Sequence, residues 1–116
     1  MRIAGTILFT LLLTVGCKRQ SSITLGRPPN GEVRTVASLK AAGRAEPVVL
    51  RGLMIEKCPV AGCWFRLRDD TGIIKVDTRA AGFVVAEVPV KSKLLVSGKV
   101  VADGDNLSID ATGVRY

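Results

Sequence analysis

From Pro47 to its end, the chain consists of short runs rich in Val, Ile and Leu, separated by Gly, Asp and Pro turn signals. Runs of this length and composition are typical of β-strands and predict an all-β domain. Five strands are predicted, over residues 48–57, 63–69, 73–78, 93–101 and 107–114. Gly52 and Gly98 lie inside the first and fourth of these strands, where a small closed barrel bends. The pattern therefore favours a five-stranded barrel over a sandwich.

The second predicted strand shows a clear alternation of apolar and polar side chains. Phe65 and Leu67 alternate with Trp64, Arg66 and Arg68, which indicates a strand with one buried and one exposed face. The Asp-Asp-Thr-Gly sequence at residues 69–72 predicts a tight turn. The second and third strands should therefore form a hairpin that presents Trp64, Arg66, Arg68 and Lys75 on its outer face.

A short helix is predicted before the barrel. Thr35 is a suitable N-cap for residues 36–42, and Gly43 can end the helix. Two turns of helix are marginal in water, so this segment must gain its stability by packing on the barrel.

The first sixteen residues indicate an export signal. Arg2 is followed by an apolar or hydroxyl-bearing run over residues 3–15, and Gly16 and Cys17 come next. A helix of this length spans about 20 Å, which is shorter than a bilayer core of about 30 Å. The pattern of charge, short apolar run and small residue is typical of a secretory signal peptide.

The end of this segment, Leu-Thr-Val-Gly-Cys at residues 13–17, resembles the bacterial lipoprotein lipobox. The resemblance implies cleavage after Gly16 and lipidation of Cys17, with residues 1–16 removed as a lipoprotein signal peptide. The position that is usually Leu is Thr14 here. An ordinary secreted protein and a membrane-spanning anchor are the alternatives. Lys18, rather than Asp, after the Cys implies sorting to the outer membrane, on its periplasm-facing side.

Residues 17–34 are rich in Gly, Pro, Ser and Thr and are predicted to be a linker, with the folded domain at residues 35–116. The chain has 17 Lys and Arg against 10 Asp and Glu, a formal net charge of +7. Most of this excess lies before Gly52, beside the proposed anchor, and the barrel is close to neutral. A basic tether next to a lipid anchor is attracted to anionic head groups, whereas a nucleic-acid-binding protein would carry the charge on its folded face.

Several motifs resemble bacterial OB-fold proteins of the periplasm. In that family a short helix precedes a V-x-L-x-G strand, as in TVASLK at residues 35–40 and PVVLRG at residues 47–52. An F-x-L-x-D-x-T-G-x-I-x-V hairpin follows, as at residues 65–77, and LVSGKV at residues 95–100 matches the fourth strand. CPVAGCW at residues 58–64 is similar to an uncharacterised periplasmic OB-like family with a C-x-x-x-G-C-W motif. The resemblance implies an OB-fold Greek-key barrel in the cell envelope that binds a ligand and is not an enzyme.

Cys58 and Cys63 flank a four-residue turn between the first two predicted strands. Outside the cytosol, two thiols that remain after lipidation of Cys17 are expected to pair, so a structural disulfide is predicted. A redox-active pair and a soft-metal site that includes Met54 are the alternatives. The spacing is not C-x-x-C, and zinc lacks four good ligands.

The outer face with Trp64, Arg66, Arg68 and Lys75 is the candidate ligand site. A Trp beside two Arg residues can stack on a flat or sugar-like group and hold an anion. The alternative is a Trp that covers the end of the barrel or packs on the N-terminal helix, with the Arg side chains as solvated neighbours.

Other chemistry finds little support. The chain has no His, which excludes His-based catalysis and His-ligated metal sites. Asp103, Asp105 and Asp110 lack the full order of a calcium loop. No metal and no cofactor is predicted.

The leading hypothesis is a lipid-anchored envelope module for a small molecule, an oligosaccharide or a protein partner. The alternatives are a nucleic-acid-binding OB-fold protein and a soft-metal or redox protein that uses the two cysteines.

Overall fold

The structure is a computed structural model and describes residues 22–40 and 47–116. Within these residues the chain forms seven β-strands and one 3₁₀ turn, and β-strands dominate. The strands are β1 (Thr24–Gly26), β2 (Val33–Arg34), β3 (Pro47–Lys57), β4 (Trp64–Asp69), β5 (Gly72–Asp77), β6 (Lys93–Asp103) and β7 (Asn106–Arg115), and the 3₁₀ turn covers Ala37–Lys40.

The five long strands close into a barrel. β3 pairs with β4, β4 with β5, β7 with β6, and β6 with β3, all antiparallel. A short parallel pairing of β5 with β7, from Lys75 opposite Ser108 to Asp77 opposite Asp110, completes the circle. This is the order of an OB-fold barrel, and it confirms the all-β, five-stranded prediction.

The barrel bends at the predicted glycine in β6. The register between β6 and β7 shifts between Ser97 and Gly98, which marks a β-bulge. A Cβ atom at Gly98 would lie 2.4 Å from the carbonyl oxygen of Asp110, so the strands approach too closely there for any side chain. β3 changes partners next to the other predicted glycine, because its pairing with β6 ends and its pairing with β4 begins at Leu53.

One apolar core fills the barrel. Each of its members exposes less than about a tenth of its surface to solvent. They come from every barrel strand, from the 3₁₀ turn and from the connection between β5 and β6. The core consists of Leu39, Val48, Leu50, Met54, Phe65, Leu67, Ile74, Val76, Val85, Val88, Leu94, Val96, Val100, Ile109, Ala111 and Val114. Phe65 and Leu67 are fully buried while Arg66 and Arg68 are exposed, which confirms the alternation predicted for this strand.

The region before the barrel contains two short strands. β1 pairs antiparallel with the end of β7, and β2 pairs parallel with β3 at Val49 and Leu50. Both lie in the segment that the sequence predicts as linker. Residues 1–16 and Cys17, on which the export and lipidation predictions rest, lie outside the described residues.

The predicted α-helix is not found in the described residues. Ala37–Lys40 form a 3₁₀ turn instead, and the rest of the predicted helix, with Gly43, lies outside the described residues. Thr35 does cap the turn, since its Oγ1 accepts a hydrogen bond of 3.3 Å from the amide of Ser38. The structure therefore differs from the prediction in the type of helix over Ala37–Lys40 and agrees with it on the capping residue. Over residues 22–40 and 47–116, no helix has the length and apolar character needed to span a membrane.

Candidate functional site

The outer face of the β4–β5 hairpin carries the side chains that the sequence singles out. Because the two strands are in register from Trp64 opposite Asp77 to Asp69 opposite Gly72, side chains at paired positions lie side by side on this face. The outward pairs are Trp64 with Asp77, Arg66 with Lys75, and Arg68 with Ile73. The hairpin thus presents a ladder of one aromatic, one acidic, one aliphatic and three basic side chains.

A groove of about 730 Å³ runs along this face to the β6–β7 turn. Its lining combines apolar side chains with charges of both signs. The lining residues are Val36, Arg66, Ile73, Ile74, Lys75, Asp103, Asp105, Asn106 and Leu107. Ile73 has half of its surface exposed and gives the groove an apolar surface on the hairpin side. The groove therefore offers an apolar contact between a basic hairpin and an acidic turn.

The two basic groups of the groove differ in how they are held. Arg66 forms an ion pair with Glu56 on β3 at 3.5 Å, with both side chains about half exposed. Exposed pairs of this kind contribute between about 0 and 1 kcal/mol, so a ligand anion can compete with Glu56 for the guanidinium group. The Lys75 Nζ lies 5.6 Å from the centroid of the Trp64 ring, within the range of a cation–π contact.

The predicted site residues are only partly brought together. Arg66 and Lys75 line the groove. Trp64 is half-buried and joins the site through Lys75, whose ammonium group covers its ring. Arg68 lies on the same outer face opposite Ile73 but is not part of the groove lining.

Asp103 and Asp105 are the acidic residues of the groove, and the sequence does not assign them to the site. Asp103 is the last residue of β6, and Asp105 lies in the two-residue turn that leads to β7. Barrel closure through β5 and β7 brings this turn to the hairpin. The sequence does mark them as a turn with two acids. Among the described residues, no group of three or more His, Cys, Asp or Glu side chains is placed to hold a metal ion.

Asp69 fixes one end of the site. Its Oδ1 accepts hydrogen bonds from the amide and hydroxyl of Thr71 and from the amide of Gly72, and its Oδ2 accepts one of 2.8 Å from the amide of Val36. Burial opposes ionisation of Asp69, but these hydrogen bonds outweigh it and hold the pKa of the carboxyl below its ordinary value. The hairpin turn therefore positions Val36, and with it one apolar wall of the groove.

Asp77 and Arg79 form a compact ion pair at the other end of β5. The Arg79 Nη2 lies 2.6 Å from Asp77 Oδ2, and the Arg79 amide donates to Asp77 Oδ1. The hydrogen bond from the guanidinium group lowers the pKa of Asp77. Asp77 is thus engaged with its neighbour and offers little charge to a ligand in the groove.

Cys58 and Cys63 lie at the two ends of the β3–β4 loop, next to Trp64. Their Sγ atoms are 3.6 Å apart, with the Cys63 thiol donating to Cys58, and the two are not bonded. Backbone amides of Ala61 and Val60 point at the Cys58 sulfur and lower the pKa of Cys58 to about 7. The hydrogen bond that Cys63 donates to Cys58, together with burial, raises the pKa of Cys63.

The loop backbone is held by bonds that do not involve the two sulfur atoms. The Cys63 carbonyl accepts from both the amide and the hydroxyl of buried Thr78, each at 2.9 Å. The Gly62 carbonyl accepts from the Val85 amide at 2.8 Å. Gly62 has φ +61° and a Cβ there would lie 2.5 Å from the Ala86 amide nitrogen, which accounts for the glycine in the Cys-x-x-x-Gly-Cys-Trp motif.

Met54, the third ligand considered for a soft metal, does not join the two thiols. It is fully buried in the barrel core on β3, and its backbone pairs with the β5–β6 connection through Ser92 and Lys91.

Comparisons with known proteins agree with this architecture. Residues 16–116 match the family described as Bacterial OB fold (BOF) protein. The chain is 28% identical over 108 residues to a protein of Pseudomonas aeruginosa described as the calcium-regulated OB-fold protein CarO, covering 90% of this chain and 91% of that protein. It is similar in structure to the hypothetical protein YgiW of E. coli, with a TM-score of 0.57, 27% identity, and coverage of 74% of this chain and 90% of that one. The chain belongs to the bacterial OB-fold (BOF) protein family.

Proposed function

We propose that this chain is a non-enzymatic binding module that holds a small zwitterionic ligand, such as a short peptide, in the groove between the β4–β5 hairpin and the β6–β7 turn. The observation that carries the proposal is the arrangement of charge. Arg66 and Lys75 line the hairpin side, Asp103 and Asp105 line the turn side, and Ile73 and Leu107 are apolar groups of the same groove. A ligand with a carboxylate, an ammonium group and an apolar body complements all three.

The groove residues suit this ligand better than a purely anionic one. Both basic groups have weak partners, a half-exposed ion pair for Arg66 and an aromatic ring for Lys75, so they can turn to a carboxylate at low cost. A polyanion would meet two carboxylates across the same groove. The chemistry also argues against single-stranded nucleic acid, because Trp64 is the one aromatic ring on this face and Lys75 covers it.

The binding experiment uses trileucine with free termini as the probe, titrated into the full chain and followed by the fluorescence of Trp64, the only Trp of the chain. Binding that is weakened at least about ten-fold by N-acetylation and also by C-amidation of the peptide supports the proposal. Arg66→Ala and Asp105→Asn should each weaken binding, and Arg68→Ala serves as the matched control outside the groove. An uncharged N-acetylglucosamine trimer and a dT oligonucleotide are tested in the same way. If one of them binds and trileucine does not, the ligand is a sugar or a nucleic acid and the proposal of a zwitterionic ligand is wrong.

We further propose that the module is tethered to the periplasmic side of the outer membrane through lipidated Cys17. The support is the lipobox-like sequence at residues 13–17 and the basic segment that follows it. Intact mass spectrometry of protein extracted from membranes tests this proposal. A chain that starts at Cys17 and carries the mass of acyl groups supports it, and a Cys17→Ser chain should leave the membrane fraction. A wild-type chain that still carries Met1 would contradict it.

A further inference from the structure

We propose that Cys58 and Cys63 form a thiol–disulfide exchange site, in which Cys58 is the attacking thiol and Cys63 closes the disulfide within the loop. The inference is independent of the groove and of any ligand that binds there. It predicts that the disulfide expected from the sequence forms, and adds that it is reversible rather than a permanent cross-link.

The first support is that the loop is positioned without a covalent link. The two sulfur atoms already lie 3.6 Å apart as thiols. Cys63 is fixed through its carbonyl by Thr78, and Gly62 is fixed against Val85 and Ala86. Lys57, directly before Cys58, donates to the carbonyls of Ala86 and Val88 at 2.8 and 2.6 Å. A disulfide is therefore not needed to hold the loop, and its reduction leaves these bonds in place.

The second support is the asymmetry between the two sulfur atoms. Cys58 receives hydrogen bonds from the backbone amides of Ala61 and Val60 and from the Cys63 thiol, which favours its thiolate and brings its pKa to about 7. Cys63 keeps its proton, because it donates that proton to Cys58. Arg79 is the charged side chain that acts on Cys63, and Asp77 holds its guanidinium group. Stabilising the thiolate stabilises the reduced pair, which makes the disulfide easier to reduce.

The third support is access. Both cysteine residues are partly exposed, and the loop between them reaches into solvent at Val60, which is 91% exposed. A partner disulfide can therefore approach Cys58 from outside the barrel. Thiol–disulfide exchange requires this approach, whereas buried structural cysteines are inert.

The oxidant in this exchange is a disulfide of the partner. The Cys58 thiolate attacks one sulfur of the partner disulfide, forms a mixed disulfide and releases the other sulfur as a thiolate. Cys63 then attacks the Cys58 sulfur, closes the intramolecular disulfide and releases the second thiolate. Two electrons pass from the cysteine pair to the partner, and the two protons lost by the pair end on the two partner thiols. In the reverse sequence, two partner thiols reduce the pair and end joined in a disulfide.

Oxidised glutathione is the probe for the test, used with the full chain. Trypsin cleavage after Lys57 and Arg66 releases both cysteines in the peptide 58–66, which separates them from Cys17 in mass spectrometry. In Cys63→Ser, a glutathione mixed disulfide should accumulate on Cys58. In wild type this species should be transient and end as the intramolecular disulfide. At pH 7, Cys63 in Cys58→Ser should react about five-fold more slowly than Cys58 in Cys63→Ser. Cys58 keeps the backbone hydrogen bonds of Ala61 and Val60 that favour its thiolate, and the larger thiolate fraction outweighs the lower nucleophilicity.

Two further measurements test the exchange site. The rate at which Cys58 reacts in Cys63→Ser should rise with pH around a midpoint near 7, and wild type should move between dithiol and disulfide as the ratio of reduced to oxidised glutathione is varied. A wild-type pair that stays oxidised in excess reduced glutathione is a structural cross-link and overturns the proposal. So does a chain isolated with one copper ion and both thiols protected from alkylation.

Discussion

The ammonium group of Lys75 sits over the ring of Trp64, 5.6 Å from its centroid, and this contact joins the two neighbouring strands of the binding face. Trp64 is paired with Asp77 in the β-ladder and Lys75 with Arg66, so the contact is diagonal rather than directly across. The contact holds the Lys75 ammonium group at the groove. Because a partly exposed cation–π contact is weak, the ammonium group can leave the ring for a ligand anion with little loss of free energy.

Lys75→Ala should change the fluorescence of Trp64 while lowering the free energy of unfolding by no more than about 1 kcal/mol. The reason is that a partly exposed cation–π contact is weak, yet it lies directly on the indole ring. Emission spectra and urea unfolding measure the two effects. Lys93→Ala, at the exposed start of β6, is the matched control and should leave the emission unchanged. An unchanged spectrum in Lys75→Ala would show that the ring and the ammonium group do not meet in solution.

Asp69→Ala should destabilise the protein by about 1–3 kcal/mol at pH 7, because the carboxylate accepts hydrogen bonds from Thr71, Gly72 and Val36. Asp70→Ala, at the exposed neighbouring position, is the control and should cost much less. Urea unfolding of both variants and the wild type provides the comparison.

The effect of Asp69 should depend on pH in a defined direction. The folded state lowers the pKa of Asp69 below the ordinary 3.8, so its contribution is fully present above about pH 4. The contribution is lost as the pH falls through the lower folded-state value. The difference in stability between wild type and Asp69→Ala should therefore shrink on acidification below pH 4. If the difference in stability grows below pH 4 instead, folding raises the pKa of the Asp69 carboxyl rather than lowering it.

Thr78→Val should lower the free energy of unfolding by about 0.5–1.5 kcal/mol, since it removes one of the two hydrogen bonds to the Cys63 carbonyl while keeping the side-chain volume. Thr78 is fully buried, so water cannot replace the lost hydroxyl. Thermal unfolding under reducing conditions isolates this effect from any disulfide. An unchanged free energy of unfolding in Thr78→Val would mean that its hydroxyl does not bond to the Cys63 carbonyl in solution.

Local patterns predict the barrel well because its strands are long enough to show alternation. Phe65 and Leu67 are buried between exposed arginines, and this signal is contained within six residues. β1 and β2 have three and two residues, too few for any period, and they form only because β7 and β3 offer free backbone groups. The predicted α-helix is a 3₁₀ turn where the structure describes it. The amides of Val36 and Ala37 are bound by Asp69 and Thr71, which are distant in sequence, so this segment depends on contacts that no local pattern encodes.

The same distinction applies to the site. Arg66 and Lys75 share a face with Trp64 and could be found from strand alternation within one hairpin. Asp103 and Asp105 join them through the parallel pairing of β5 with β7, whose register no local pattern encodes. The sequence therefore predicts the basic half of the groove and misses its acidic half.

Gly62→Ala should destabilise the protein by about 1–3 kcal/mol more than Gly104→Ala. Gly104→Ala is a suitable control because both glycines adopt a left-handed backbone φ. Both glycines have nearly the same positive φ, +61° and +62°, so a side chain at either position incurs the same local backbone strain of about 1 kcal/mol. A Cβ at Gly104 meets nothing within 4 Å, whereas at Gly62 it lies 2.5 Å from the Ala86 amide nitrogen. Unfolding of both variants in urea with reductant measures the difference. Equal losses would mean that the loop bearing the two cysteines does not rest on the β5–β6 connection.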